Sequence, residues 1–243
     1  MKTRTIKIVT GIGLIFSILF VTSQIVFAQT SVQTTAANTS KIWGKVDGIS
    51  IEGMVQGPST EITPLQIACV FEYTEGDIFN SPALPEAVNG MVHLDKSLNG
   101  IITELRKSGK FAGHSLETIL ITPPSGIIGA KKLLLIGLGD RNQFTPGLMQ
   151  QVASVGMEEA LRLGVTKYAF ASDLKDAGVD SPTAEVAGYG VTGAINAYRT
   201  QAFLKGKKLA TFKPIEKITL LAGPAFFTTA GDGIKKAIAT LNN

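Results

Sequence analysis

Short apolar runs alternate with longer segments of helical spacing from about residue 42 to the end of the chain. Strands that alternate with helices indicate an α/β layer architecture. The run from Leu133 to Ile136 has no polar interruption, as expected for a strand that is covered on both faces. The apolar runs predict strands at 49–55, 65–71, 118–121, 132–136, 167–170 and 217–221.

Four segments have the spacing of amphipathic helices. The first has an apolar face from Leu98 to Leu105, and the second opens at Thr145 and closes at Gly164. A long third helix starts at Ser181, and a fourth covers the last residues of the chain. The third contains glycines that each cost roughly 1 kcal/mol relative to alanine, so we expect close packing to compensate. These glycines are Gly188, Gly190 and Gly193.

The first 28 residues have the layout of a secretory signal peptide. Three basic residues precede an apolar run at 8–21, and Val26-Phe27-Ala28 offers a cleavage site. The apolar run is shorter than the roughly 20 residues that span a bilayer, which favours cleavage over an uncleaved anchor. We therefore expect export to a periplasm or out of the cell, with membrane contact only through this peptide.

The rest of the chain is expected to consist of a flexible lead-in at 29–41 and one domain at 42–243. The lead-in is rich in Thr, Ser, Gln and Ala and has no hydrophobic period. Removing the signal peptide takes away three basic residues from 23 basic and 19 acidic ones, which leaves a net charge of +1. That balance predicts no nucleic-acid partner, and the lysines at 205–208 are interpreted as solvated surface. The lone cysteine, Cys69, lies in an apolar run and is expected to be a buried hydrophobe.

Three ordered segments of the chain carry a family resemblance. Gly109-Lys110-Phe111 follows a Leu-rich helix face, 131–139 forms a strand and a Gly-Leu-Gly turn, and 184–199 runs from Ala-Glu-Val-Ala-Gly to Ala-Tyr-Arg. In this order and spacing they resemble the N-terminal domain of the leucyl aminopeptidase family, over roughly residues 60–205. The resemblance implies a macro-like fold of the α/β class, a three-layer sandwich in which a mixed, mostly parallel sheet has helices on both faces.

The resemblance does not imply peptidase activity for this chain. Enzymes of that family hold two metal ions and a bicarbonate in a C-terminal domain, and no stretch before Asn243 reads like the motifs of that domain. A two-metal site needs several carboxylates around one cavity, whereas the acidic residues here are scattered. Asp173 and Asp176 flank a loop, and Glu158-Glu159 fits a solvated helix face. We therefore expect no catalytic residue, no metal ligand and no cofactor.

Two glycine-containing turns are the candidates for contact with a ligand. Gly137, Gly139 and Asp140 follow a buried strand, where a phosphate-binding turn would lie. Asn142 stands in place of the last glycine of the dinucleotide pattern, which favours a structural turn. Ser125 and Gly126 begin a loop similar to the phosphate loop of macro domains, but a strand rather than a helix is predicted after it. His93, His114 and Tyr198 are better explained by packing or by surface placement.

Two classes of function stay open. The favoured class is a non-catalytic module that binds a partner protein, a second copy of itself, or a small ligand in the cleft at the strand ends. The resemblance supports it, because in the family's enzymes this domain contributes to assembly of the hexamer. The other class contains a peptidase that acts with a separate catalytic chain, and a nucleotide-binding or ADP-ribose-binding macro-like protein.

Overall fold

Seven strands form one sheet in the computed structural model, which describes residues 34–243. In chain order they are β1 (Ser40–Val46), β2 (Ile49–Val55), β3 (Gln66–Val70), β4 (Thr118–Ile121), β5 (Leu133–Gly137), β6 (Lys167–Ala171) and β7 (Lys217–Ala222). Their order across the sheet is β1-β2-β7-β6-β3-β5-β4. The predicted signal peptide at 1–28 and the first residues of the predicted lead-in, 29–33, lie outside the described residues.

The sheet is mixed and mostly parallel, as predicted. The five inner strands β2, β7, β6, β3 and β5 are parallel to one another. The edge strands β1 and β4 are antiparallel to their neighbours β2 and β5. All five parallel strands therefore end at one edge of the sheet, called the carboxyl edge below, and begin at the other, called the amino edge.

Helices cover both faces of the sheet, which confirms the predicted three layers. Alternate residues of β3 and β5 belong to two separate apolar clusters: Ile67 and Ile136 to one, Ala68 and Leu135 to the other. Helices α3 (Leu148–Arg162), α4 (Thr183–Gly206) and α5 (Phe227–Leu241) pack in the first cluster. Helices α1 (Gly90–Ser97) and α2 (Ile101–Lys107) pack in the second. Within the described part of the chain, no helix is long and apolar enough to cross a membrane.

The N-terminal edge strand β1 was not predicted. It begins at Ser40, ahead of the predicted start of the domain at residue 42, and only its last residue, Val46, is buried. The N–H group of Asn38 donates to the carbonyl of Val55 at 2.8 Å, so the described end of the expected flexible lead-in is already paired with β2. Backbone pairing of an exposed edge needs no apolar period, which is why the hydrophobic pattern did not show it.

The prediction of one helix with an apolar face from Leu98 to Leu105 is wrong, because two helices meet there. Asn99 and Gly100 have φ values of 55° and 79°, in the left-handed region, and separate α1 from α2. Helix α3 begins at Leu148, after a turn at the predicted start, and Gly164 with φ 67° follows its end as predicted. The predicted close packing of α4 is confirmed at Gly193, where a Cβ would overlap the carbonyl oxygen of Gln150 on α3.

Candidate functional site

A cleft of about 860 Å³ lies over the carboxyl ends of β2, β6 and β7. The segments that follow these strands line it, at 55–58, 170–176 and 220–226, together with the first turns of α1 and α4. Its volume lies within the roughly 300–1,000 Å³ of typical small-molecule sites. The carboxyl edge is also where open α/β sheets bind ligands. The arrangement therefore has the place and the size of a ligand site.

Most of the cleft wall is apolar. Phe170 and Leu220 line it from the ends of the sheet, and Val88 and Phe226 line it from the loops. Lys175 is also part of the wall, but its ammonium group lies 2.8 Å from the carboxylate of Asp180 and is paired. Apolar surface contributes about 25 cal/mol for each Å² that a ligand removes from water. Such a wall favours a ligand with an apolar body.

Asp173 is a buried carboxylate in the floor of the cleft. It follows the end of β6 with φ 54°, a left-handed conformation that aspartate adopts more readily than most side chains. Its Oδ2 atom accepts a hydrogen bond from the N–H group of Cys69 at 2.9 Å, which ties the loop to β3. Burial raises the pKa of Asp173 well above its ordinary value, and the neighbouring Asp176 acts in the same direction.

Asp176 is a second carboxylate in the same loop, and it occupies the N-terminus of α1. Its Oδ2 atom accepts the N–H group of Met91 at 3.1 Å, and its backbone carbonyl accepts the side-chain amide of Asn89 at 2.9 Å. Burial raises the pKa of Asp176 to about 6, although the backbone hydrogen bonds oppose the shift. The start of α1 can stabilise a negative charge, and the carboxyl group of Asp176 already occupies that position.

The histidines and the tyrosine considered in the sequence lie in three different places. His93 is exposed on α1 and lines the cleft near Asp176. His114 is also exposed, and its Nδ1 atom lies 2.7 Å from Oε1 of Glu72, a hydrogen bond that raises the pKa of His114. Tyr198 packs its ring edge-on against Phe212, with 5.8 Å between the ring centroids. Of the three, His93 lines the cleft.

Cys69 is a buried hydrophobe on β3, as the apolar run predicted. Burial raises the pKa of its thiol well above the ordinary range, and the carboxylate of Asp173 adds to that effect. A thiol in this setting stays protonated and is a poor nucleophile. The residue therefore contributes packing behind the cleft floor.

The turn that carries Gly137, Gly139 and Asp140 is filled by the protein itself. The N–H groups of Gly137 and Gly139 donate to the carbonyls of Glu117 and Gly113 at 2.8 and 2.9 Å. A Cβ at Gly137 would overlap the carbonyl oxygen of His114. The geometry makes this a structural turn, the interpretation that the missing last glycine favoured, and contact with a ligand there stays a prediction.

Ser125 and Gly126 lie away from the cleft. They belong to the loop between β4 and β5, which reaches β5 at the amino edge. The strand predicted after the loop is present as β5, so the loop does not lead into a helix. The structure therefore brings neither of these residues together with Gly137, Gly139 and Asp140, which lie at the carboxyl edge.

No cluster of three or more His, Cys, Asp or Glu side chains suited to a metal ion occurs among residues 34–243. Glu159 of the adjacent acidic pair accepts from Nε of Arg162 at 2.7 Å, on the surface of α3. Sequence reasoning places Asp173 and Asp176 on the flanks of a loop and misses that both carboxyl groups line one cavity. Their position directly after the apolar run of β6 was a signal that could have revealed it, because the ends of parallel strands share one edge.

Comparison with known sequences gives a consistent result. A family model described as the N-terminal domain of the cytosol aminopeptidase family matches residues 78–207, more than half of the 243 residues. A probable cytosol aminopeptidase of Roseiflexus castenholzii is 27% identical over 144 residues, which are 58% of this chain and 28% of that protein. One from Burkholderia orbicola is 27% identical over 169 residues, or 68% of this chain and 32% of that protein. The matched part thus spans about a third of these relatives.

Solved structures show the same fold. A variant of tomato leucine aminopeptidase superposes with a TM-score of 0.55 at 18% identity, over 86% of this chain and 38% of that one. A macrodomain of Oceanobacillus iheyensis with MES bound gives 0.52 at 15% identity, over 83% and 98% of the two chains. The same macrodomain with ADP gives 0.50 at 15% identity, with the same coverage. At these identities the likeness supports the macro-like fold.

Proposed function

Because this chain belongs to the cytosol aminopeptidase family, whose N-terminal domain it carries, we propose that it is a non-catalytic module that binds a small ligand in the strand-end cleft. The observation that carries the proposal is the cleft itself, with about 860 Å³ of space at the carboxyl ends of β2, β6 and β7. Its apolar walls end at the buried carboxyl group of Asp173 and the half-buried carboxyl group of Asp176, an arrangement that can hold and orient a ligand. The match to the family covers only its N-terminal domain.

The chemistry of the cleft favours a ligand with an apolar body and a hydrogen-bond donor. Asp173 and Asp176 present carboxyl groups at its floor, and carboxylates accept hydrogen bonds from amines and ammonium groups. A pyrophosphate would meet the negative charge of Asp176 at any pH above its pKa of about 6, and Lys175 is already paired with Asp180. A small amine with an aliphatic side chain therefore fits better than a dianion.

A nucleotide is the second candidate, and one feature of the cleft favours it. Helix α4 begins at the cleft with Thr183, and within residues 34–243 no side chain caps its first turn. The N–H groups at the start of a long helix attract phosphate. The Oceanobacillus iheyensis macrodomain, solved with ADP, gives an example of such a ligand on a similar fold.

Thermal unfolding of the purified protein with added ligands tests both candidates. The probes are leucinamide as the apolar amine, and ADP and ADP-ribose as nucleotides. A ligand at one hundred times its Kd stabilises the fold by about 2.7 kcal/mol, which raises the Tm of a domain of this size by roughly 5–10 °C. Stabilisation by leucinamide that Asp176→Asn removes and Glu104→Gln keeps supports the first candidate. Stabilisation by the nucleotides alone puts the second candidate first, and none from any probe contradicts both.

The absence of catalysis is tested with a leucine chromogenic substrate in the presence of zinc or manganese. We expect no turnover by this chain alone, beside a full-length cytosol aminopeptidase as the positive control. Metal-dependent turnover that persists at single-chain purity contradicts the non-catalytic proposal. Turnover that appears only after a separate catalytic chain is added supports the alternative in which this protein is one part of a metalloaminopeptidase.

Export is also part of the proposal, on the strength of the layout of residues 1–28. The expected product is a mature protein that begins at Gln29 and is found outside the cytoplasm. Intact mass and N-terminal sequencing of the protein from separated cell fractions measure this directly. A cytoplasmic protein that keeps Met1 at its N-terminus contradicts it.

A further inference from the structure

One segment at the amino edge of the sheet, opposite the cleft, has a net positive charge, whereas the rest of the described chain has a net negative charge. Helix α4 ends there at Gly206, and 207–216 leads from it into β7. Residues 199–217 contain six basic side chains and one acidic side chain, whereas the rest of the described chain contains 14 basic and 18 acidic ones. The net charge near zero is therefore the sum of a positive segment at 199–217 and a negative remainder.

Four lysines of this segment are exposed and carry unneutralised charge. Among the described residues, none of the four takes part in an ion pair. Nearby Arg199 differs, because its Nε atom lies 2.6 Å from the carboxylate of Asp47. The four are Lys205, Lys207, Lys208 and Lys213.

Two large apolar side chains stand among these lysines. Phe203 is 64% exposed and Leu209 is 74% exposed, the two ends of a short segment that contains three of the lysines. The Nζ atom of Lys207 lies 5.6 Å from the centroid of the Phe203 ring, so charge and apolar surface are adjacent. Below, the four lysines with Phe203 and Leu209 are called the basic patch.

We propose that the basic patch docks on a membrane that contains anionic phospholipids. Exposed lysines are attracted to phosphate headgroups, and an aromatic and an aliphatic side chain beside them can enter the boundary between headgroups and acyl chains. The charges alone would suit any polyanion, and the two exposed apolar side chains among them favour a partner that offers an apolar phase next to its negative charges. The lysines at 205–208, which the sequence analysis interprets as solvated surface, would thus contact phosphate headgroups.

The position of the patch is compatible with ligand binding at the same time. The patch lies at the amino edge and the cleft at the carboxyl edge, so a docked protein would turn its cleft away from the lipid. The acidic excess outside the patch would be repelled by the same membrane, which favours this orientation. The proposal does not depend on the ligand of the cleft.

The test is co-sedimentation of the purified mature protein with vesicles. One set contains phosphatidylcholine with 30% phosphatidylglycerol, and the other contains phosphatidylcholine alone. We expect binding to the anionic set that weakens as salt is raised. The charge reversal Lys207→Glu with Lys208→Glu should lower the partition coefficient by about ten-fold or more. The change Phe203→Ser with Leu209→Ser should lower it as well, at unchanged net charge.

A matched control separates the patch from overall charge. The double change Lys110→Glu with Lys131→Glu alters the net charge by the same amount at two exposed lysines that flank β4, outside the patch. It should keep most of the binding, and circular dichroism should show that every variant is folded. The proposal is wrong if anionic vesicles bind no protein, or if the control loses as much binding as the patch variants. Binding to the anionic vesicles that the Phe203 and Leu209 changes leave unaffected would also overturn it, because charge alone would then explain the binding.

Discussion

Two turns at the carboxyl edge of the sheet have similar positions but different surroundings. The turn 137–140 after β5 and the turn 172–176 after β6 both leave buried parallel strands, and both contain aspartate. The loop 113–117 fills the first turn and takes up its N–H groups, whereas the second turn faces a cleft of about 860 Å³. The comparison shows that the end of a parallel strand offers a place for a site, and that the neighbouring loop decides whether the place is free.

The largest expected effect comes from adding one methyl group to the filled turn. Gly137→Ala should lower the free energy of unfolding by about 3 kcal/mol or more, because the new Cβ overlaps the backbone of Gly113 and His114. The matched control is Gly57→Ala at the cleft, where the nearest atoms to a new Cβ are 4.0 Å away. We expect a change below about 1 kcal/mol there. Denaturant unfolding of both variants measures the difference, and equal effects would remove the contrast between the filled turn and the open wall of the cleft.

Asp176 in the open turn should make the free energy of unfolding depend on pH. Burial raises the pKa of Asp176 to about 6, from an ordinary value of 3.8. A raised pKa in the folded state means that protonation favours folding, so this stabilisation is complete below about pH 4 and is lost as the pH rises through 6. Asp176→Asn should therefore reduce the gain in stability between pH 7 and pH 4 by about 1–3 kcal/mol relative to the parent. Exposed Glu104→Gln is the control, and identical pH profiles for parent and Asp176→Asn would contradict the assignment.

A smaller effect is expected at the second glycine of the filled turn. Gly139 has φ 74°, and alanine in the left-handed region costs roughly 1–2 kcal/mol. A new Cβ would come no closer than 3.3 Å to Ser115, so backbone strain rather than overlap determines the loss. Gly139→Ala should therefore destabilise less than Gly137→Ala, as measured by urea unfolding. A larger loss at Gly139 would reverse the interpretation of which contact closes the turn.

The smallest effect on stability is expected at the mouth of the cleft. His93 is exposed and lines the cleft, so His93→Ala should change the free energy of unfolding by no more than about 0.5 kcal/mol. Exposed His114→Ala is its counterpart outside the cleft. Calorimetric titration with the ligand found in the thermal screen should show weaker binding for His93→Ala alone. Loss of binding in both variants would mean that the ligand does not select the cleft.

Much of the fold could be predicted because buried strands and helix faces require apolar residues in runs or at regular spacing along the sequence. The unbroken apolar run at β5 and the apolar runs at β3, β6 and β7 identify strands that are covered by helices. Two features do not show in this pattern. Strand β1 is exposed along most of its length. The break between α1 and α2 at Asn99 and Gly100 leaves the helical spacing of the apolar residues around it unchanged, so the spacing does not reveal it.

The candidate site was less predictable, since its parts are distant in the sequence. Asp173 contacts the backbone of Cys69, and Asp176 contacts that of Met91, across 104 and 85 positions. Nothing in the spacing of these residues indicates the contacts. The glycine turn at 137–140, by contrast, is a local sequence pattern, although the loop that fills it, 113–117, precedes it by about twenty residues.

The sequence by itself determined the α/β class, six of the strands of the described chain, the burial of Cys69 and the family resemblance. These follow from local periodicity and from short motifs, which need no knowledge of the partners in space. Only the tertiary structure decided that the turn after β5 is closed, that two aspartates meet in a cleft, and that the lysines and apolar side chains at 203–213 form one exposed surface. Such properties depend on which segments the sheet order brings together, because burial, electrostatic coupling and free space belong to neighbours and not to single residues.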